Sequence, residues 1–173
     1  LRVYRAIQFA SRFEFNIDNK TKELCRQMVL NDDLSHLAKE RVYDEFKKLF
    51  LKSLKPSIGF ELLKELEVLN YFPELKALVN CEQEKEYHPE GDVWVHTLMT
   101  LDEMAKIIKK ERIEDEYRIL YLFYAILCHD LGKPYCTELI NGKITSYKHE
   151  SLGIEPTVSF LSKLTNESRF IQI

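Results

Sequence analysis

Glycine and proline are scarce in this sequence, five of each in 173 residues. That scarcity argues against an all-β protein, which needs turn residues at short intervals. Four cysteines, Cys25, Cys81, Cys128 and Cys136, include no C-x-x-C pair, so neither a thiolate zinc cage nor a redox motif is indicated. A reducing cytoplasm is the expected compartment. No signal peptide is evident, and the longest apolar run, Ile119 to Cys128, is about half the length a membrane crossing needs; no membrane contact is expected. Internal repeats and low-complexity tracts are also missing. What is present is ordinary for a globular domain: 45% hydrophobic and 31% charged residues, with a net charge of −3. The total hides an asymmetry. Residues 1–55 carry 12 Lys/Arg against 8 Asp/Glu, while residues 56–173 carry 13 against 20. The basic part suits a polyanion or merely a solvated surface, and the acidic remainder suits a soluble or metal-binding body.

Helical periodicity dominates the chain. Leu1 to Phe13 places Val3, Ile7 and Ala10 on one face, with Arg2, Arg5 and Arg12 elsewhere. Asp18 is a candidate N-cap for a helix from Asn19 to Val29. Ala38 to Lys52 is amphipathic through Val42, Phe46, Leu49 and Phe50. Pro56 suits the first turn of another helix, and Pro73 precedes a short one from Glu74 to Val79. The polar stretch from Asn80 to Asp92 is the best domain boundary. Beyond it, Val93 to Lys110 shows a clean apolar face and Ile113 to Asp130 reads as the central buried helix. Asn141-Gly142 between two short apolar runs signals a tight hairpin over Thr137 to Tyr147, followed by a helix from His149 to Leu164. The expected fold is all-α with one small β-hairpin. Leu1 opens the chain with helical patterning already under way, and a helix start at Thr165-Asn166-Glu167 comes just before Ile173. Both edges read as cuts through a longer protein.

The chemistry concentrates at His129-Asp130, at the end of the most apolar run. An imidazole and a carboxylate side by side make half of a divalent-metal site; read alone, they also suit capping at a helix end. His96 lies 33 residues upstream, enough for one helix to finish and a second to return antiparallel. That geometry brings His96 toward His129 and Asp130, a nitrogen and oxygen set suited to Mn, Ni, Fe, Co or Zn, and with more water to Mg.

Three blocks together, Tyr87-His-Pro-Glu-Gly-Asp-Val-Trp-Val-His96-Thr, Cys128-His-Asp-Leu-Gly-Lys-Pro134 and Tyr147-Lys-His149, resemble the HD superfamily of metal-dependent phosphohydrolases. The resemblance implies His96, His129 and Asp130 as ligands of a divalent metal (Mg, Mn, Ni or Co), with Asp130 also steering the attacking water. It places Lys133 and His149 beside the substrate phosphate; a helix-capping Lys and a backbone-bonded His are the alternatives for these two. The family's later Asp ligand has no counterpart before the chain ends, so weak metal occupancy is expected. His88 and Glu90 suit either orientation of His96 or ordering of their loop.

The preceding half narrows the resemblance. Leu1-Arg2-Val-Tyr-Arg5-Ala-Ile-Gln-Phe-Ala-Ser-Arg12-Phe and Lys39-Glu40-Arg41-Val-Tyr-Asp-Glu45-Phe-Lys-Lys-Leu49 are similar to the neck of bacterial tRNA nucleotidyltransferases (CCA-adding enzymes) and their poly(A) polymerase relatives. The implied organisation is a neck-like helical region over residues 1–80 and a carboxy-terminally truncated HD domain over 81–173. Arg2 matches the Arg of the family's nucleotide-reading Glu-Asp-x-x-Arg motif; a surface Arg is its alternative. The resemblance implies tRNA, CTP and ATP as partners of a parent enzyme whose Mg-dependent catalytic head lies upstream. Nucleotide addition is thus not expected of these residues themselves. Hydrolysis of 2′,3′-cyclic or 2′-phosphate esters by the HD part is the first functional expectation. A non-catalytic tRNA-binding module with a vestigial metal site is the second, and an HD hydrolase of free nucleotides with a chance neck likeness the third.

Overall fold

The computed structural model describes residues 1–171. They form a mostly helical protein with one two-stranded antiparallel ribbon. α1 (Arg2–Phe13) stops where Glu14 turns left-handed (φ 52°) and its N–H returns to the Ala10 carbonyl, an αL termination. Asp18 caps α2 (Asn19–Leu30) by accepting from the N–H groups of Lys20 and Thr21, as its sequence position predicts. α3 (Lys39–Lys52) and α4 (Pro56–Glu65) follow, the latter with Pro56 in its first turn. A 3₁₀ turn at Val68–Tyr71 leads into α5 (Pro73–Lys76), shorter than the patterning suggests. α6 (Val93–Lys110) matches its expected span and is capped by Asp92.

Two elements depart from expectation. α7 (Glu116–Cys128) begins three residues late, because Asp115 accepts from the Arg118 N–H and sets the start itself. The apolar Ile113 is held in the preceding loop, its N–H bonded to the Ile108 carbonyl. The expected helix from His149 to Leu164 is two pieces, α8 (His149–Leu152) and α9 (Ile154–Leu164), joined at Gly153. Between α7 and α8, β1 (Glu138–Ile140) and β2 (Lys143–Thr145) pair with Leu139 opposite Ile144. Asn141 and Gly142 both have positive φ (51° and 78°), the backbone that a two-residue primed turn requires. α10 (Ser168–Ile171) ends the described chain.

The core is aromatic and continuous. α1 packs on α3 and α4, α6 on α4 and α7, and α3 on α7 and α9. Phe46 meets Phe60 and Phe72 edge-on, Phe72 meets Phe160, and Phe50 stacks on Phe123 with centroids 4.8 Å apart. Trp94 is fully buried and its indole N–H donates to Glu61 Oε1 at 3.1 Å, which meets the need of a buried ring for a polar partner. This packing fixes α6 against α7, and with them the residues at the start of one and the end of the other. No described helix is long and apolar enough to cross a membrane.

Candidate metal centre

His96 sits in the first turn of α6, where Asp92 accepts from the Val95 N–H and the His96 N–H reaches the Asp92 carbonyl. The preceding loop is itself fastened. Gln83 N–H donates to Gly91 O, and residues 82 and 92 form an antiparallel bridge. That fastening carries Glu90 under the imidazole, where its carboxylate accepts from His96 Nδ1 at 2.6 Å. His88 lies edge-on to the His96 ring, its Nδ1 3.3 Å from the same oxygen. Burial pushes Glu90 up, but bonds from its own backbone and from His96 and His88 outweigh this and hold it below the ordinary carboxylate value.

His129 and Asp130 follow the last residue of α7. The end of the helix leaves the Ile126 carbonyl available, and His129 Nδ1–H donates to it at 2.6 Å. His149 repeats the device, its Nδ1–H donating to the Ser146 carbonyl at 2.8 Å. A carbonyl only accepts, so Nδ1 is the protonated nitrogen in both rings. The remaining nitrogens face one carboxylate: His129 Nε2 is 3.1 Å from Asp130 Oδ2, and His149 Nε2 is 3.7 Å from Oδ1. The rings of His96 and His129 lie 5.7 Å apart, and His96, His129 and Asp130 bring ligand atoms within 4.8 Å of one another.

Asp130 is 2% exposed. Its Oδ2 lies 2.8 Å from Lys133 Nζ, yet no neighbouring donor is aligned to hydrogen-bond it. Burial pushes this carboxyl up, but His129 and Lys133 more than offset the effect and hold it well below the usual range. Burial likewise pushes His129 down, and the carboxylate beside it reverses the sign and raises it. His96 stays lowered, burial outweighing Glu90 and Asp130. The donor set therefore fits a divalent cation. A neutral His129 turns a lone pair toward an anionic oxygen at contact distance, an arrangement that a proton or a cation between them relieves.

Lys133 is buried at 8% exposure; besides Asp130, its ammonium donates to Gln83 Oε1 at 2.6 Å. Gln83 is 3% exposed and its amide nitrogen has no partner. Sequence reading missed Gln83, because a bond spanning 50 residues leaves no local pattern. It also missed the work of Gly132. A Cβ there would fall 1.9 Å from the His149 carbonyl oxygen and 2.6 Å from Gly153 N, so only glycine lets α8 close on the residues after α7 and bring His149 to Asp130. Arg2 stands apart from this cluster. It is exposed on α1, which packs mainly on α3 and α4.

Beside His129 a groove of about 300 Å³ is lined by Tyr121, Ala125, Glu150, Ile154 and Arg169. Among the described residues, no second carboxylate joins Asp130 in the three-residue group.

Comparison with known proteins places this geometry in context. A family model described as "Probable RNA and SrmB-binding site of polymerase A" matches residues 14–78. A Multifunctional CCA protein of Pasteurella multocida is 36% identical over 91% of the chain and 37% of its own length. One from Neisseria meningitidis is 37% identical over 90% of the chain and 35% of its length. Another, from Haemophilus influenzae, is 32% identical over 100% of the chain and 41% of its length. The chain thus spans about two fifths of these curated relatives. No solved structure matches it. With both halves aligned to such proteins, the chain belongs to the family of the CCA-adding tRNA nucleotidyltransferases.

Proposed function

We propose that this chain is the RNA-contacting and phosphoester-hydrolysing part of a tRNA nucleotidyltransferase of the CCA-adding or poly(A) polymerase type. In this reading residues 1–80 are the neck, residues 81–173 the HD domain, and the partners are tRNA, CTP and ATP in the cytoplasm. Nucleotide addition itself belongs to an Mg-dependent head outside these residues. Arg2 reads the incoming nucleotide through the planar donor fork of its guanidinium.

The observation that carries the hydrolytic half is the convergence of the His96 and His129 imidazoles with a buried Asp130 carboxylate, their ligand atoms within 4.8 Å of one another. His96, His129 and Asp130 would hold a divalent cation such as Mg, Mn, Ni or Co. When bound, such an ion polarises a phosphoryl oxygen and makes water more acidic. Asp130 orients the attacking water from the wall of the site, and His129 together with Lys133 keeps that carboxylate ionised. His149 has Nδ1 committed to Ser146, which frees Nε2 to meet a phosphoryl oxygen. Lys133 adds positive potential behind it. The groove beside His129 has room for the rest of a 2′,3′-cyclic or 2′-phosphate ester.

A second reading draws on the single carboxylate in the three-residue group: a tRNA-binding module whose metal site is vestigial. Phosphate release from 2′,3′-cyclic and 2′-phosphate nucleotides with Mg, Mn, Ni or Co separates the two. Wild-type protein is expected to hydrolyse them only with metal, and His129→Ala to lose on the order of 100-fold or more. Wild-type protein that shows no metal-dependent hydrolysis leaves the binding module.

A further inference from the structure

The side of α1 turned away from the core has an unusual composition. Arg2, Arg5 and Phe9 are spaced by three and four, and Arg12 and Phe13 lie three and four beyond Phe9, so the five share one face, and all are exposed. Val3, Tyr4, Ile7, Ala10 and Ser11 occupy the opposite face and are buried. The outward phenyl rings are ordered against one another. Phe9 and Phe13 lie 17° from parallel with centroids 6.1 Å apart, and Phe15, just past the helix end, continues the series at 7° and 6.1 Å. Their exposures are 37%, 56% and 47%. The Arg12 guanidinium sits 4.8 Å over the Phe13 ring. α1 contains no Asp or Glu, and the adjacent Glu14 is paired with Lys55 at 3.2 Å.

Three near-parallel rings in water are an apolar surface awaiting a flat partner. The guanidiniums narrow the choice, because a partner meeting Arg5 and Arg12 without any acid between them must bring negative charge at intervals. A nucleic-acid strand has both properties, bases with π-faces and a phosphate at every step. Duplexes bury their base faces, so the strand must be single.

We propose that Phe9, Phe13 and Phe15, flanked by Arg5 and Arg12, form a stacking platform for single-stranded RNA. The inference rests on the RNA-contacting half of the proposed function and adds the surface that makes the contact. Bases lie on the phenyl faces, which tolerate any sequence, while the guanidiniums hold the backbone.

The test is a fluorescence titration with a single-stranded RNA carrying 2-aminopurine, whose emission falls on stacking, beside a duplex of the same sequence. Wild-type protein is expected to quench the probe and to prefer the single strand. Phe13→Ala and Phe9→Ala should each weaken binding by about five- to hundred-fold and leave its salt dependence unchanged. Arg12→Gln should instead lower the salt slope by about one. All three side chains are exposed, so thermal unfolding of the variants should match wild type. Wild-type binding that survives both Phe substitutions with quenching intact overturns the platform while the RNA reading stands, and assigns the rings to a protein contact. Equal affinity for the duplex also overturns it. A wild-type protein that binds neither RNA overturns both the platform and the reading beneath it.

Discussion

The outer face of α1 and the junction of α6, α7 and α8 both gather groups suited to phosphates, but they are assembled in opposite ways. On α1 the residues come from one helix, and their alignment is a consequence of helical period alone. At the junction they come from positions 83 to 149, and almost every side chain is tied to something else: His96 to Glu90, His129 to Ile126, His149 to Ser146, Lys133 to Gln83. A surface written by local period survives changes elsewhere in the protein. A centre built by convergence depends on every backbone approach that makes it, and the closest of those is at Gly132.

The comparison breaks most severely there. Gly132→Ala is expected to destabilise the protein by about 3 kcal/mol or more, since the added carbon meets backbone that cannot swing aside, and to abolish metal binding. The same alanine scan along the exposed side of α1 should leave the urea midpoint unmoved. Unfolding of Gly132→Ala at the wild-type midpoint would show that α8 does not close as described. A smaller effect is expected from Glu90→Gln, which replaces the anionic acceptor of His96 Nδ1–H. Metal affinity by calorimetry should fall ten- to hundred-fold with little change in thermal stability. Unchanged affinity would reduce Glu90 to an ordering residue of its loop.

The smallest effect concerns pH. Asp130 is held below its ordinary 3.8, so its contribution to stability is present above that value and lost as pH falls toward its depressed one. His129 is raised above 6.5, so its contribution is present below 6.5 and fades as pH climbs through the raised value. Metal-free stability should therefore be highest between these limits and decline on the alkaline side. Metal affinity should strengthen over that same alkaline window, because coordination requires neutral His129. Urea melts and metal titrations at pH 5, 6.5 and 8 check the opposed trends; a metal affinity that is flat with pH would count against His129 as a ligand.

Much of this was legible beforehand. The helical class, the span of α6, the cap at Asp18 and the Asn141-Gly142 turn follow from signals within a few residues. The meeting of His96 with His129-Asp130 was also within reach, since two antiparallel helices and their spacing define it. What escaped depends on separation in sequence. Gln83 looks like any polar loop residue until Lys133 reaches it, and nothing beside Gly132 in the sequence announces its close approach to the His149 carbonyl and Gly153. The late start of α7 escaped for a local reason: Asp115 competes for the terminal N–H groups and overrides the apolar Ile113.

The bond between Gln83 and Lys133 has one more consequence. Residue 83 belongs to the loop that leads into α6, so that loop and the wall of the histidine cluster share an amide-to-ammonium tether. Any shift of that loop is transmitted to Asp130 in two contacts.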